Sequence, residues 1–252
     1  MSKLSRRMIV SGGIAAGALA LGAGAARWAA RAGLIPPDYA GIWGPGRTLT
    51  YASQRLLTAG QPLAREFART QISKVAPVNG LQPEMDAYKS LLAGGFADWR
   101  LEIGGLVERP QSFSLADLKA MPAESHITLH ACEEGWSYIA EWTGVRLSHV
   151  LEMAGTKPEA RYAVLMPYEN SNNGVSRVLW NSIDMADALH PQTLLAYGMN
   201  GEDLSPGHGA PLRLRLARHL GYKNTKFLYR LTLTDKMEEA YDLVRRGPWY
   251  GG

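Results

Sequence analysis

The sequence predicts a mixed α+β domain rich in strands, and three observations predict it. Short alternating or apolar runs recur with helical patterns scattered between them, and no strict strand–helix–strand alternation is present. Beyond residue 32 about 220 residues remain in a chain that is 46% hydrophobic, enough for one large core without requiring two. No internal repeat or low-complexity segment interrupts that stretch.

The first 32 residues read as an export signal. Arg6-Arg7 stand directly before a Gly/Ala-rich apolar run that carries no charge up to Ala26, the layout of twin-arginine export to the periplasm of an already folded protein. That run is close to the ~20 residues needed to span a bilayer, so retention as an anchor is the alternative, although its Gly/Ala content suits a cleaved signal better. Ala30-Arg31-Ala32 offers a cleavage site. Residues 33–78, rich in Pro, Gly, Arg and Gln, are expected to form an extended arm on the surface, with short helical patterns at 51–57 and 63–69. Residues 79–252 are the expected single folded domain.

Within that domain the pattern predicts a helix over 83–92 stopped by Gly94-Gly95, then a strand over 99–107. Ser114 followed by Asp117 has the form of a capping box ahead of a helix over 115–121. Residues 126–132 alternate Ile127, Leu129 and Ala131 against Thr128, His130 and Cys132, a strand that ends at the cysteine and turns it to the side of His130. Ser148 is the expected cap of a helix through Met153, stopped at Gly155, and 161–166 is apolar enough for a buried strand. Residues 194–199 run into the turn Asn200-Gly201 as a hairpin, and strands over 211–216 and 227–234 follow.

The net charge of +4 does not point to nucleic acid. Lys3, Arg6, Arg7, Arg27 and Arg31 lie in the first 32 residues with no acid, and taking these five from the 27 basic residues leaves 22 against 23 acidic ones. Cys132 is the one cysteine, so it has no partner for an internal disulfide. Such a residue is either a small buried hydrophobe or a chemical group.

The run from His130 to Ser137, His-Ala-Cys-Glu-Glu-Gly-Trp-Ser, occurs with Tyr197-Gly-Met-Asn-Gly-Glu-Asp-Leu-Ser, His208-Gly-Ala-Pro-Leu-Arg213 and Gly221-Tyr-Lys-Asn-Thr-Lys226. Together these four motifs resemble the molybdopterin-dependent oxidoreductases of the sulfite oxidase fold, closest in style to the bacterial periplasmic methionine sulfoxide reductase branch. The resemblance runs from about residue 79 to residue 234 and implies a sulfite-oxidase-type fold and a molybdenum–molybdopterin cofactor. It assigns Cys132 as a direct thiolate ligand of molybdenum, a role suited to a soft, strongly donating ligand. His208, Arg213, Asn224, Thr225 and Lys226 match cofactor-binding positions, where a phosphate needs cations and donors aimed at one place. Asn79 matches an upstream asparagine that contacts the pterin, and a plain loop asparagine is the alternative. The reductase branch often carries Asn where this chain has His208, a departure from that branch.

Alternation alone does not separate Arg213 from Arg215, and a solvated strand face is the alternative for both. His130 is either a cofactor-side residue or a structural histidine. The resemblance places Glu134 near the metal as a proton relay or a holder of water, with Glu133 expected in solvent. Trp136 and Trp142 fit the family's aromatic pattern, or simply a core.

Sulfite oxidases place arginines soon after the cysteine, whereas this chain has Glu133, Glu134, Gly135 and Trp136. Acids beside the metal ligand repel an anion, which favours reduction of a neutral S-oxide or N-oxide over sulfite oxidation. No haem, flavin or iron–sulfur motif is present, so the expected electron donor is a membrane b-type cytochrome or a periplasmic cytochrome. A cofactor-free cysteine hydrolase using Cys132 and His130, or an inactive binding module, are the competing classes. A monomer is expected. The tail from Tyr241 to Gly252 is open between packing over the site and docking.

Overall fold

A computed structural model of the chain describes residues 24–25, 28–29, 44–58, 63–80, 82–168, 170–172, 175–177 and 181–235. Most of the expected export segment and the whole tail from Tyr241 lie outside the described residues. The chain divides into two compact units, residues 1–62 and 63–252, so residues 63–78 of the expected arm belong to the compact body. In the first unit one helix, α1 (Gly44–Thr58), is longer than the helical pattern at 51–57 suggested and carries no acid in its first turn. Among the described residues no helix is long and apolar enough to cross a membrane.

The second unit is the expected α+β body, built on two main sheets. Helix α2 (Asp86–Ala93) is followed by β1 (Arg100–Gly105) and β2 (Gln111–Ser114). Helix α3 (Leu115–Ala120) starts from the predicted capping box: Ser114 Oγ accepts from Asp117 N at 3.1 Å, and Asp117 Oδ2 accepts from Ser114 N at 2.8 Å. Strands β3 (Ala123–Ala131) and β4 (Ser137–Arg146) then form a hairpin whose loop begins with Cys132. Helix α4 (Leu147–Ala154) starts one residue before Ser148, with Arg146 rather than Ser148 at its N-cap. The buried Leu147 and Val150 set that start, because they anchor the helix in the core.

Strand β5 (Tyr162–Pro167) is followed by the short β6 (Asn170–Asn172), β7 (Val175–Arg177) and β8 (Asn181–Asp184), then helix α5 (Met185–Ala188). Strand β9 (Thr193–Met199) turns through Asn200 and Gly201, both with positive φ, into β10 (Glu202–Asp203). Strands β11 (Arg213–Leu216) and β12 (Leu228–Thr234) complete the body.

One sheet has the order β2-β1-β12-β5-β8, with β1 and β12 parallel and Ile103 opposite Leu231. The other has the order β10-β9-β4-β3, and β11 pairs with β9 beside β10. Every residue of β9 is buried, because this sheet is covered on both faces. One face shares a large core with the first sheet, including Trp99, Leu101, Leu165, Leu195, Leu214 and Leu231. The opposite face carries a smaller core around Tyr138, Trp142, Leu194 and Ala196.

Residues 63–69, expected to be helical, are mostly extended. Phe67 N donates to Ile127 O at 2.9 Å and Glu66 bridges Thr128, so the edge of β3 captures this segment as a partial strand. Tertiary pairing overrides the weak local helical pattern. The segment continues past Ser73, whose N donates to Ile139 O at 2.9 Å, and delivers residues 77–80 to a cavity above the smaller core.

Candidate functional site

The cavity has a volume of about 310 Å³ and is formed where the end of β3, the 206–213 segment, the 221–227 segment and the 77–80 strap meet. Asn79, His130, Cys132, His208, Arg213, Asn224, Thr225 and Lys226, eight of the residues singled out in the sequence, all line it. Glu134 does not.

Cys132 sits where β3 ends. Its N donates to Trp136 O at 2.9 Å and its O accepts from Gly135 N at 3.1 Å, a tight loop that leaves Sγ facing the cavity while the residue is only 7% exposed. Asn79 Nδ2 donates toward Sγ at 3.5 Å, and Glu133 Oε2 lies 3.4 Å from Sγ. Glu134 Oε2 stands farther off, at 3.9 Å, and accepts from Trp136 Nε1 at 2.9 Å. Both acids are exposed and stand beside Sγ; Glu133 also lines the cavity, while Glu134 is tied to the indole.

His130 shares the inward side of β3 with Thr128 and Cys132, while Leu129 points outward and is 42% exposed. Burial, reinforced by Arg213, Arg215, His208 and Lys226, pushes its pKa down to about 2, so the ring is neutral. Arg215 Nη1 faces its Nδ1 at 3.4 Å. A guanidinium only donates, so Nδ1 is the acceptor and the ring proton resides on Nε2. Such a ring cannot take a proton from the thiol, and among the described residues no histidine bonds Cys132. The cysteine hydrolase reading therefore loses its base.

Strand β11 corrects the picture of a solvated arginine face. Arg213 is 3% and Arg215 1% exposed. Their guanidinium carbons lie 4.7 and 5.2 Å from the centroid of the Trp142 ring, which is itself fully buried. Arg213 Nη1 donates to His208 O at 2.9 Å and Nη2 to Asn224 O at 3.3 Å. Its Nε, like Thr225 Oγ1, is buried without a hydrogen-bond partner among the described residues. Ser205 Oγ, 2.9 Å from His208 Nδ1, fixes that ring and turns Nε2 inward. Lys226 Nζ donates to Gly207 O at 3.0 Å and also to Asn79 O. Asn224 differs from the expectation of a direct ligand: its Oδ1 accepts from Leu216 N at 2.7 Å and from Arg215, and its Nδ2 donates to Leu220 O at 2.9 Å, so the side chain holds the loop together.

Two glycines let these segments close. Gly209 has φ +106°, and a Cβ there would meet Lys226 Cβ at 2.8 Å; one on Gly221 would come within 3.2 Å of His130 Nε2. Tyr138 and Tyr168 also line the site and carried no signal in the sequence beyond their aromatic character.

Arg213, Arg215 and Lys226 meet no carboxylate among the described residues. Burial pushes them down to about 10, 9 and 8 respectively, helped by Arg213 in the last two cases. An unpaired buried cluster of cations with unpartnered donors is complementary to an anion. The Lys226 ammonium is charged in folded and unfolded chains below pH 8, where its cost is full. Between pH 8 and the ordinary lysine range the folded protein sheds the proton first, so stability is regained as pH rises. In protein free of bound anion, thermal melts from pH 7 to 10 should shift in favour of the wild type relative to Lys226→Met, by up to about 1.4 kcal/mol per pH unit. A pH-independent difference would contradict the unpaired ammonium.

A family model described as the oxidoreductase molybdopterin binding domain matches residues 91–242, more than half of the chain. A protein of Azospira oryzae described as a protein-methionine-sulfoxide reductase subunit, YedZ1, is 33% identical over 190 residues, covering 75% of this chain and 68% of the relative. The protein-methionine-sulfoxide reductase catalytic subunits MsrP of Campylobacter jejuni and Xanthomonas axonopodis are 31% and 34% identical over 57% and 56% of the chain. The alignments cover 51% and 47% of those two proteins, so the chain spans about half their length. Among solved structures the sulfane dehydrogenase SoxCD of Paracoccus pantotrophus is similar at 28% identity with a TM-score of 0.50, over 56% of this chain and 39% of that one.

Proposed function

The chain belongs to the oxidoreductase molybdopterin-binding domain family, and from that membership we propose that it reduces a neutral S-oxide or N-oxide by oxygen-atom transfer in the periplasm. The residues present fit the family's cofactor. The unpartnered donors on Arg213 and Thr225 and the unpaired charges of Arg213 and Lys226 suit a pterin phosphate. Among the described residues no three His, Cys, Asp or Glu side chains gather as a metal site. Cys132 is the residue that would hold the metal of such a cofactor, since a thiolate is a soft, strongly donating ligand. When bound, molybdopterin supplies a molybdenum that exchanges an oxygen atom and two electrons with the substrate.

The protein's part is to bind, orient and handle protons. Cys132 would hold the metal through Sγ, and Asn79 Nδ2, which donates toward that sulfur, would restrain its electron density. Arg213, Thr225, Lys226 and His208, which line the same cavity, would hold the pterin phosphate. Glu133 is the group placed to deliver or accept a proton beside Sγ, at Oε2.

The observation that carries the choice of substrate is the Glu133 carboxylate facing the cavity 3.4 Å from Sγ, with Glu134 behind it. The cations of the site are on the cofactor wall, so an anion approaching the sulfur meets negative charge first. Export through Arg6-Arg7 supports the periplasmic setting, and a membrane b-type or periplasmic cytochrome is the proposed electron donor. The methionine sulfoxide reductase relatives support the reducing direction.

Steady-state kinetics of the molybdenum-loaded protein test this, with methionine sulfoxide and trimethylamine N-oxide under a reduced viologen dye and sulfite under ferricyanide. Oxide turnover with negligible sulfite oxidation is the expected result. In Glu133→Gln the KM for oxides should change less than about 3-fold while sulfite becomes a tighter inhibitor, because one repelling charge is removed. Fast sulfite oxidation without oxide turnover overturns the reading.

A further inference from the structure

We propose that Arg215, which does not line the cavity, is a positioning residue that fixes the strand ending in Cys132 against the loop carrying Thr225 and Lys226. The order of the sheet is the first reason. Strand β11 pairs with β9, β9 with β4 and β4 with β3, so β11 and β3 stand three strand spacings apart along the sheet. At ~4.8 Å per spacing that separation is ~14 Å in a flat sheet, more than an arginine side chain spans. Arg215 nonetheless donates through Nη2 to Thr128 Oγ1 at 2.9 Å and to Leu129 O at 2.8 Å, both on β3. The sheet is curled until its edge strand returns to β11, and the guanidinium closes the gap from inside.

The second reason is the other half of the fork. Arg215 Nη1 donates to Asn224 Oδ1 at 3.1 Å and to Leu216 O at 3.1 Å, and faces His130 Nδ1. Asn224 in turn links Leu216 N and Leu220 O and offers its own carbonyl to Arg213. One planar group thus bonds β3 at Thr128 and Leu129, four and three residues before Cys132, and the loop at Asn224, one residue before Thr225 and two before Lys226. Rotation of either segment breaks a bond on the fork. Thr128 and His130, polar residues on the buried side of β3, are explained by the same group, since each presents it with an acceptor.

The two segments therefore hold Sγ of Cys132 and the anion cradle at one separation, with His130 kept as a fixed Nε2–H donor. A lysine at 215 would restore the charge but not the fork, which is what positioning requires.

The test uses the molybdenum-loaded protein with Arg215→Met and Arg215→Lys, reading pterin content, the paramagnetic resonance spectrum of partly reduced molybdenum, and kcat and KM per bound molybdenum. These readouts of the metal environment do not depend on which substrate or direction is physiological, so failure of the substrate reading and failure of this one are distinguishable. For both variants the expected result is a broadened or multiple metal signal and a kcat per molybdenum lower by about 10-fold or more with KM changed little, as sub-ångström misplacement produces. Thr128→Val removes one bond while keeping volume and should show the same change in smaller degree, and it stands in if the Arg215 variants do not fold. A single wild-type signal with wild-type kcat per molybdenum in the foldable variants overturns the proposal. So does recovery of both by Arg215→Lys, which would assign the effect to charge alone.

Discussion

Replacing Cys132 with serine should abolish turnover while the protein keeps its fold. The substitution exchanges one soft sulfur for a hard hydroxyl and removes the single thiol of the chain. The loop around it is held by backbone bonds from Cys132 N to Trp136 O and from Gly135 N to Cys132 O, which the change leaves untouched. Asn79 Nδ2 can donate to a serine oxygen as it does to Sγ. Melting of the cofactor-free variant should lie within about 1 kcal/mol of wild type. Turnover per chain is the decisive measurement, and full activity in Cys132→Ser would remove the thiol from the chemistry. Cofactor content should fall less than activity, because the anion cradle lies on other segments.

The second large effect is expected at the opposite wall. Arg213→Ala should lower molybdopterin occupancy far more than it lowers stability. A charge-assisted bond to a phosphate contributes about 1.5–3 kcal/mol, or roughly 10- to 100-fold in affinity. Against this, the guanidinium is a buried cation without a carboxylate among the described residues, and burial already pushes its pKa down to about 10. Removing it relieves that cost while unpairing the His208 and Asn224 carbonyls, so the two changes partly offset in the cofactor-free protein. Molybdenum and pterin analysis beside thermal melts separates the two effects. Unchanged molybdenum content in Arg213→Ala would exclude the phosphate role.

Much of this site was legible because, Asn79 apart, the eight lining residues singled out in the sequence lie in three of the four short motifs. The capping box at Ser114, the turn at Asn200-Gly201 and the strand ending at Cys132 each rest on interactions within a few residues, and each stands where local chemistry put it. What local chemistry could not supply was the helix start before Ser148, where a buried Leu147 outweighed a favourable capping residue. It also could not supply the strap at 63–80, where the open edge of β3 captured a stretch with weak helical character. The aromatic lining residues Tyr138 and Tyr168 were invisible for a different reason: a tyrosine in a strand reads the same whether it faces a core or a cavity.

The alternation of Arg213 and Arg215 with leucines is the clearest division between the two sources of information. By itself the chain determined a strand there, a cysteine at the end of another, the family's motifs in order, and an acidic rather than basic run after the cysteine. Only the tertiary structure decided that both arginines are buried, that Arg213 opens onto the cavity and Arg215 closes the sheet beneath it, and that Glu133 lines the cavity while Glu134 is tied to Trp136. The physical reason is that a period of two specifies which side chains share a face but not what that face meets. Here it meets a sheet curled back on itself around a guanidinium, and the contacts that settle burial join residues more than 80 positions apart.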